Sequence, residues 1–152
     1  MVIRPTASPA PPGTILNLVE VQLYGAGGAL IDRSRLSFQL SSTYVGDDGI
    51  PAPAGLCNDG RTTDGVVCHT APDDKDPRLT ISYSCALGSL SKIVVTNRQG
   101  SYTDRINAFS LDVVSVHGFS ALTHAFAGGA PSYTIAVPGG KLSGICVFVL
   151  AI

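Results

Sequence analysis

Ile15-Leu-Asn-Leu-Val-Glu-Val-Gln-Leu-Tyr-Gly25 is dense in strand-forming residues and runs straight into the turn cluster Gly25-Ala-Gly-Gly28. The same grammar repeats downstream. Leu36–Ser42 alternates apolar and polar residues, and Leu79–Tyr83, Lys92–Asn97, Phe109–Val116, Tyr133–Val137 and Ile145–Leu150 are further short β-rich runs set between turn residues. No window sustains a helical period. Six or seven such strands predict a single all-β domain, a β-sandwich or jelly roll, because stacking or closing sheets is how an all-β chain covers its edges.

Composition narrows the class of partner. The chain has 152 residues, enough for one domain with its own core. Charged residues make up only 14%, mean hydropathy is +0.30 and the net charge is −1, so nothing neutralises a phosphate backbone or an anionic membrane. Nucleic acid is therefore excluded as a partner. The longest apolar stretch, Ile145 to Ile152, falls far short of the roughly 20 residues that cross a bilayer and reads as a buried strand, so membrane insertion is not expected. No charged segment followed by an apolar one opens the chain, so any secretion signal is expected either to have been removed or not to be part of this sequence. Four cysteines, abundant Gly and Pro, few Lys and a single Glu, Glu20, suit a secreted or cell-surface protein. Cys57, Cys68, Cys85 and Cys146 contain no Cys-x-x-Cys pair, which favours two disulfides over zinc and leaves three connectivities open.

Residues 1–13 read as an N-terminal arm, with residues 14–152 as the domain. Arg4 to Gly13 (RPTASPAPPG) is too rich in proline to join a sheet and favours an extended polyproline II conformation. It reads equally as a plain linker or as an O-glycosylated segment of a glycoprotein. No Asn-x-Ser/Thr sequon occurs. The loop from Val45 to Pro77 is long, polar and rich in Asp and Gly, and loops of that length in compact domains usually carry function.

Within that loop the chain reads Cys57-Asn-Asp-Gly-Arg-Thr-Thr-Asp-Gly-Val-Val-Cys-His-Thr70. Asp76-Pro-Arg-Leu-Thr-Ile81, Ser91-Lys-Ile-Val-Val-Thr-Asn-Arg98 and Asp104-Arg-Ile-Asn107 follow. This order resembles the F-type (fucose-binding) lectins and their discoidin-like relatives in the galactose-binding-like jelly-roll superfamily, over about Leu56 to Val116. The resemblance implies a sugar site made by His69, Arg98 and Arg105, three side chains that offer hydrogen bonds to sugar hydroxyls. The chain departs from the pattern just after the first arginine, where Gly100, Ser101 and Tyr102 stand in place of an Asp and adjacent cysteines, and it has no Trp to stack on a sugar. The competing reading of the same residues is an Asp104–Arg105 pair that fixes a loop beside a structural histidine. His117 and His124 lie outside the motif and are given no role.

The resemblance also implies a structural Ca²⁺ held by oxygens near the Asp-Gly turn and by a Glu of the closing strand, which designates Glu20, Asn58, Asp59 and Asp64, with Thr63 as a further donor. Against it stands an Asx-turn in which Asp59 bonds its own backbone. The family's closing strand, similar to Leu-x-Leu-Cys-Glu-Val-x-Val-Tyr-Gly, is present in two imperfect versions. Ile15–Gly25 keeps the Glu with Val19 in the Cys position, and Leu142–Leu150 keeps Cys146 with Val147 in the Glu position. A retained family bridge would join Cys68 to Cys146 and leave Cys57 with Cys85.

Two closing strands raise the question of where the first one pairs. Ile15–Tyr24 either lies beside its own sheet or completes a neighbour's through Ile15, Leu16, Leu18, Val19, Val21 and Leu23. The second arrangement, being head-to-tail, would build a fibre or sheath from copies of the chain. An extracellular self-assembling structural module is thus the leading expectation, and a lectin-like module recognising fucose- or galactose-class sugars is the alternative. No nucleophile elbow, His-Glu-x-x-His or acid/base carboxylate pair is evident, so an enzyme is not expected.

Overall fold

The structure, a computed structural model, describes residues 1–7, 10–63, 65–83, 90–114 and 120–138. Among them are strands β1 (Val2–Pro5), β2 (Asn17–Gly25), β3 (Leu36–Leu40), β4 (Cys68–His69), β5 (Leu79–Tyr83), β6 (Leu90–Asn97), β7 (Phe109–Val114), β8 (Ser120–Ala125) and β9 (Ser132–Ala136). They form a five-stranded sheet in the order β3-β5-β1-β7-β8 and a four-stranded sheet in the order β4-β2-β6-β9. Every pairing is antiparallel. One apolar core draws on both sheets: Ile3, Leu79, Ile81 and Leu111 from the first meet Leu18, Val21, Ile93 and Val95 from the second. The fold class is therefore all-β with two sheets around one core. Leu79, Ile81 and Tyr83 of β5 are buried while Thr80 and Ser82 between them are not, the alternation that a strand with one core face requires.

The first residues correct the expected extent of the arm. Val2–Pro5 is an inner strand, held between β5 and β7, and Met1, Val2 and Ile3 are fully buried. Proline was expected to keep this segment out of a sheet. It does not, because Pro5 ends the strand, opposite Phe109, and its missing N–H interrupts the ladder only at that end. Arg4 anchors the same strand by donating from Nε to Asp112 Oδ2 at 2.6 Å, and Thr123 Oγ donates to the other carboxylate oxygen. Thr6 still reaches Ala108 O through its N–H, and the chain leaves the sheet after it.

The Ile15–Tyr24 run becomes β2, which pairs within its own chain on both sides, with β4 at its start and with β6 along its length. Leu16, Leu18, Val19, Val21 and Leu23 are all buried there. The register slips between Leu18, opposite Asn97, and Glu20, opposite Thr96, which makes Val19 a β-bulge. The bulge shifts the apolar alternation by one residue, so Leu16, Leu18, Val21 and Leu23 join the core and Glu20 does not have to. Donation of this strand to a neighbour would require it to leave β4 and β6 together.

Cys57 is bonded to Cys68, with Cα atoms 5.2 Å apart. This replaces the pairings the resemblance implied, Cys68 with Cys146 and Cys57 with Cys85. Cys57 sits in a 3-10 turn, Ala54–Asn58, that packs against both β2 and β4, which brings it to Cys68 on β4. Cys85, Cys146 and the expected strand at 145–150 lie outside the described residues.

Candidate functional site

Asn97 closes β6 and is completely buried. Its Nδ2 donates to Thr103 O at 2.9 Å and Ala130 O at 3.2 Å, and its backbone N–H donates to Pro131 O. One side chain thus ties the end of β6 to the loop around Ala130 and to the run of 3-10 turns that follows, Gly100–Ala108. Gly100 takes φ +75°, the left-handed conformation that glycine adopts without a steric cost, and it turns the chain sharply after Arg98. The 3-10 repeat of three residues per turn then sets Tyr102 and Arg105 above one another. Arg98 and Arg105 consequently meet the same ring, with their guanidinium carbons 4.5 and 4.1 Å from the Tyr102 centroid.

His69 reaches this place from the other side. It ends β4, lies opposite Asn17 of β2, and is held by Tyr44 N–H donating to its carbonyl and its own N–H donating to Ala52 O. The imidazole packs on Tyr44, with ring centroids 4.6 Å apart, and Nδ1 is 2.7 Å from Thr70 O. A carbonyl oxygen only accepts, so Nδ1 carries the proton and Nε2 is left as an acceptor. Burial holds the His69 pKa below its usual value, and the positive charges of Arg105 and Arg98 press it further down, against the raising effect of the Thr70 carbonyl. The ring is therefore neutral near pH 7.

These side chains line one open cleft of about 360 Å³, with Ile15, Val67 and Pro72 as apolar walls. The three residues named from the sequence, His69, Arg98 and Arg105, come together here. Tyr44 and Tyr102, outside the set named from the sequence, complete the cleft; Tyr102, 43% exposed, carries the one legible signal, since it lies between the two arginines in sequence. The alternative pairing of Asp104 with Arg105 does not form. Ion pairs among the described residues are Arg4–Asp112, Arg61–Asp59 and Arg78–Asp76, and the Asp104 carboxylate instead crowds the turn at Gly129.

The residues designated for calcium sit apart from this cleft. Glu20 is 1% exposed, and the Gly60 N–H lies 3.2 and 3.3 Å from its two carboxylate oxygens. Burial and the nearby Asp59 charge push its pKa up to about 7, against the lowering effects of the Gly60 N–H and Arg33. Asp59 makes the Asx-turn, accepting the Arg61 N–H at 2.9 Å through Oδ1. Asn58 donates from Nδ2 to Arg33 O, which leaves its own oxygen unused by that bond. Asp64 lies outside the described residues. A buried carboxylate with the Asp59 charge nearby is chemistry that suits a hard cation, and Glu20, Asp59 and Asn58 would be the residues to hold one. The described residues contain no group of three His, Cys, Asp or Glu side chains arranged for a metal.

No family model, curated protein or solved structure matches this chain.

Proposed function

We propose that this chain is a galactose-binding-like jelly-roll domain that works as a secreted, carbohydrate-binding, lectin-like module and not as an enzyme. One observation carries the reading. His69, Arg98 and Arg105, named from short motifs in separate parts of the chain, line a single solvent-open cleft. The cleft combines directional donors on the two guanidiniums, an acceptor at His69 Nε2 and apolar walls, the mixture that a sugar with hydroxyls on its edge and C–H groups on its faces requires. Calcium belongs to the same reading as a structural ion beneath the loops at Glu20. Self-assembly by donating Ile15–Tyr24 would break the β6 pairing along its length and the β4 pairing at Asn17 and Leu18 that places His69.

A glycan array, followed by titration calorimetry with L-fucose and D-galactose derivatives, tests the proposal. Binding should fall by about tenfold or more in His69→Ala and in Arg98→Gln, as expected when one good hydrogen bond is lost, with thermal melts showing the fold intact. A folded wild-type protein that binds no sugar on the array sinks the reading.

A further inference from the structure

Two guanidiniums on one ring, with no carboxylate beside either, make an unusual surface for a neutral ligand. Arg98 and Arg105 both stack on Tyr102, and neither has an ion-pair partner or a hydrogen bond among the described residues. Elsewhere arginines of this chain do find carboxylates: Arg4 finds Asp112, and Arg78 finds Asp76. The cleft therefore concentrates positive charge on a protein whose net charge is −1. Like charges lining one partly desolvated cleft repel, and an anion bound in that cleft removes the cost.

Building on the sugar-binding reading, we infer that the cleft selects acidic glycans, sugars carrying a carboxylate or sulfate that seats against Arg98 and Arg105 while a ring hydroxyl donates to His69 Nε2. Guanidinium groups suit this task, because their planar fork bonds oxyanions in pairs and stays charged at any physiological pH. The uncharged imidazole supplies what the arginines cannot, an acceptor for a hydroxyl. Burial lowers the pKa of Arg105 and the positive charge of Arg98 lowers it further, against a raising effect of Tyr102, so the two guanidiniums sense each other.

The experiment titrates the full chain with D-galactose, D-galacturonate, galactose 6-sulfate and inorganic sulfate by calorimetry, at low and high salt. The expected result is that galacturonate or the sugar sulfate binds at least about tenfold more tightly than galactose, that high salt narrows the gap, and that inorganic sulfate alone binds much more weakly than the sugar sulfate. The two acidic sugars separate carboxylate from sulfate as the preferred group. Arg98→Gln and Arg105→Gln, each checked by thermal melt, should erase the preference for the acidic sugar, and the salt dependence of the wild-type protein reads the same point without a variant. Equal affinity for galactose and galacturonate overturns the inference while leaving sugar binding in place. Inorganic sulfate binding as tightly as the sugar sulfate means a bare anion site and overturns it too. If none of the sugars binds, both the inference and the function it rests on fall.

Discussion

Replacing Glu20 with glutamine should stabilise the protein above neutral pH and fail to do so in acid. In calcium-free buffer the folded-state pKa of Glu20 is about 7, against an ordinary value of 4.5. A carboxyl whose pKa is raised by folding stabilises the fold fully below the unfolded value, and that contribution is lost as pH rises through the folded value. The shift corresponds to about 3 kcal/mol, so the ionised carboxylate costs the native state about that much at pH 8. Glutamine has the same shape and keeps an acceptor for the Gly60 N–H, but its amide N–H₂ gains no evident partner, a cost of about 1 kcal/mol. Glu20→Gln should then be about 2 kcal/mol more stable than wild type at pH 8 and slightly less stable near pH 4.5.

Urea unfolding followed by circular dichroism, run on both proteins between these pH values with a chelator present, measures the difference directly. What matters is the change in the gap, about 3 kcal/mol across the range, because constant errors cancel in it. Adding Ca²⁺ in place of the chelator should stabilise the wild-type protein at pH 8 and leave Glu20→Gln nearly unmoved, since binding to the native state alone raises stability by mass action. Parallel curves for the two proteins at all pH values would refute the reasoning about Glu20. A wild-type protein indifferent to Ca²⁺ would remove calcium from the proposal without touching the buried carboxylate.

Two further outcomes test the frame around the site. Replacing both Cys57 and Cys68 by Ala should lower stability by about 2–3 kcal/mol, the loop-closure entropy of a link spanning 11 residues, and should loosen β4 enough to weaken sugar binding at His69; denaturant unfolding and a sugar titration read the two effects. Deleting residues 1–5 removes three fully buried side chains, Met1, Val2 and Ile3, worth on the order of 5–9 kcal/mol together, so the truncated chain should lose its cooperative melting transition, whereas a dispensable arm would leave it unchanged.

What the sequence made legible follows from how local each signal is. Leu79–Tyr83 is matched residue for residue, and Leu36–Ser42, Lys92–Asn97 and Phe109–Val116 to within a few residues, because each is a short run whose alternation or β-rich composition stands alone between turn residues. β4 is not legible in the sequence, since two residues inside a polar loop hold no period and become a strand only because β2 offers them an edge. β8, Ser-Ala-Leu-Thr-His-Ala, has a weak apolar pattern and is fixed by pairing with β7, a contact distant from anything its own residues show. Val2–Pro5 was obscured by the prolines beyond it: composition averaged over a window hid a strand that ends on its first proline. The cysteine pairing had no local signal either, since four cysteines allow three connectivities and only the fold of the Ala54–Asn58 turn brings Cys57 beside Cys68.

The cleft and the Glu20 site are two ends of one short stretch of β2. Asn17 pairs with His69 and so places the imidazole at the mouth of the cleft, and three residues later Glu20 receives the Gly60 N–H from the turn that leads back to Cys68. The bulge at Val19 stands between them. Without it a strict alternation from Leu16 and Leu18 would carry Glu20 into the apolar core, where an ionised carboxylate has no compensation. With it the core set resumes at Val21, and the Asp59-Gly60 turn can close over the carboxylate while the disulfide draws β4 against the same strand. Glu20, through the Gly60 N–H, and His69, next to Cys68, are thus both tied to the chain around the disulfide. Moved to a neighbour, this strand would take the acceptor of the Gly60 N–H and the partner of His69 with it, and the cleft would have to be assembled from two chains.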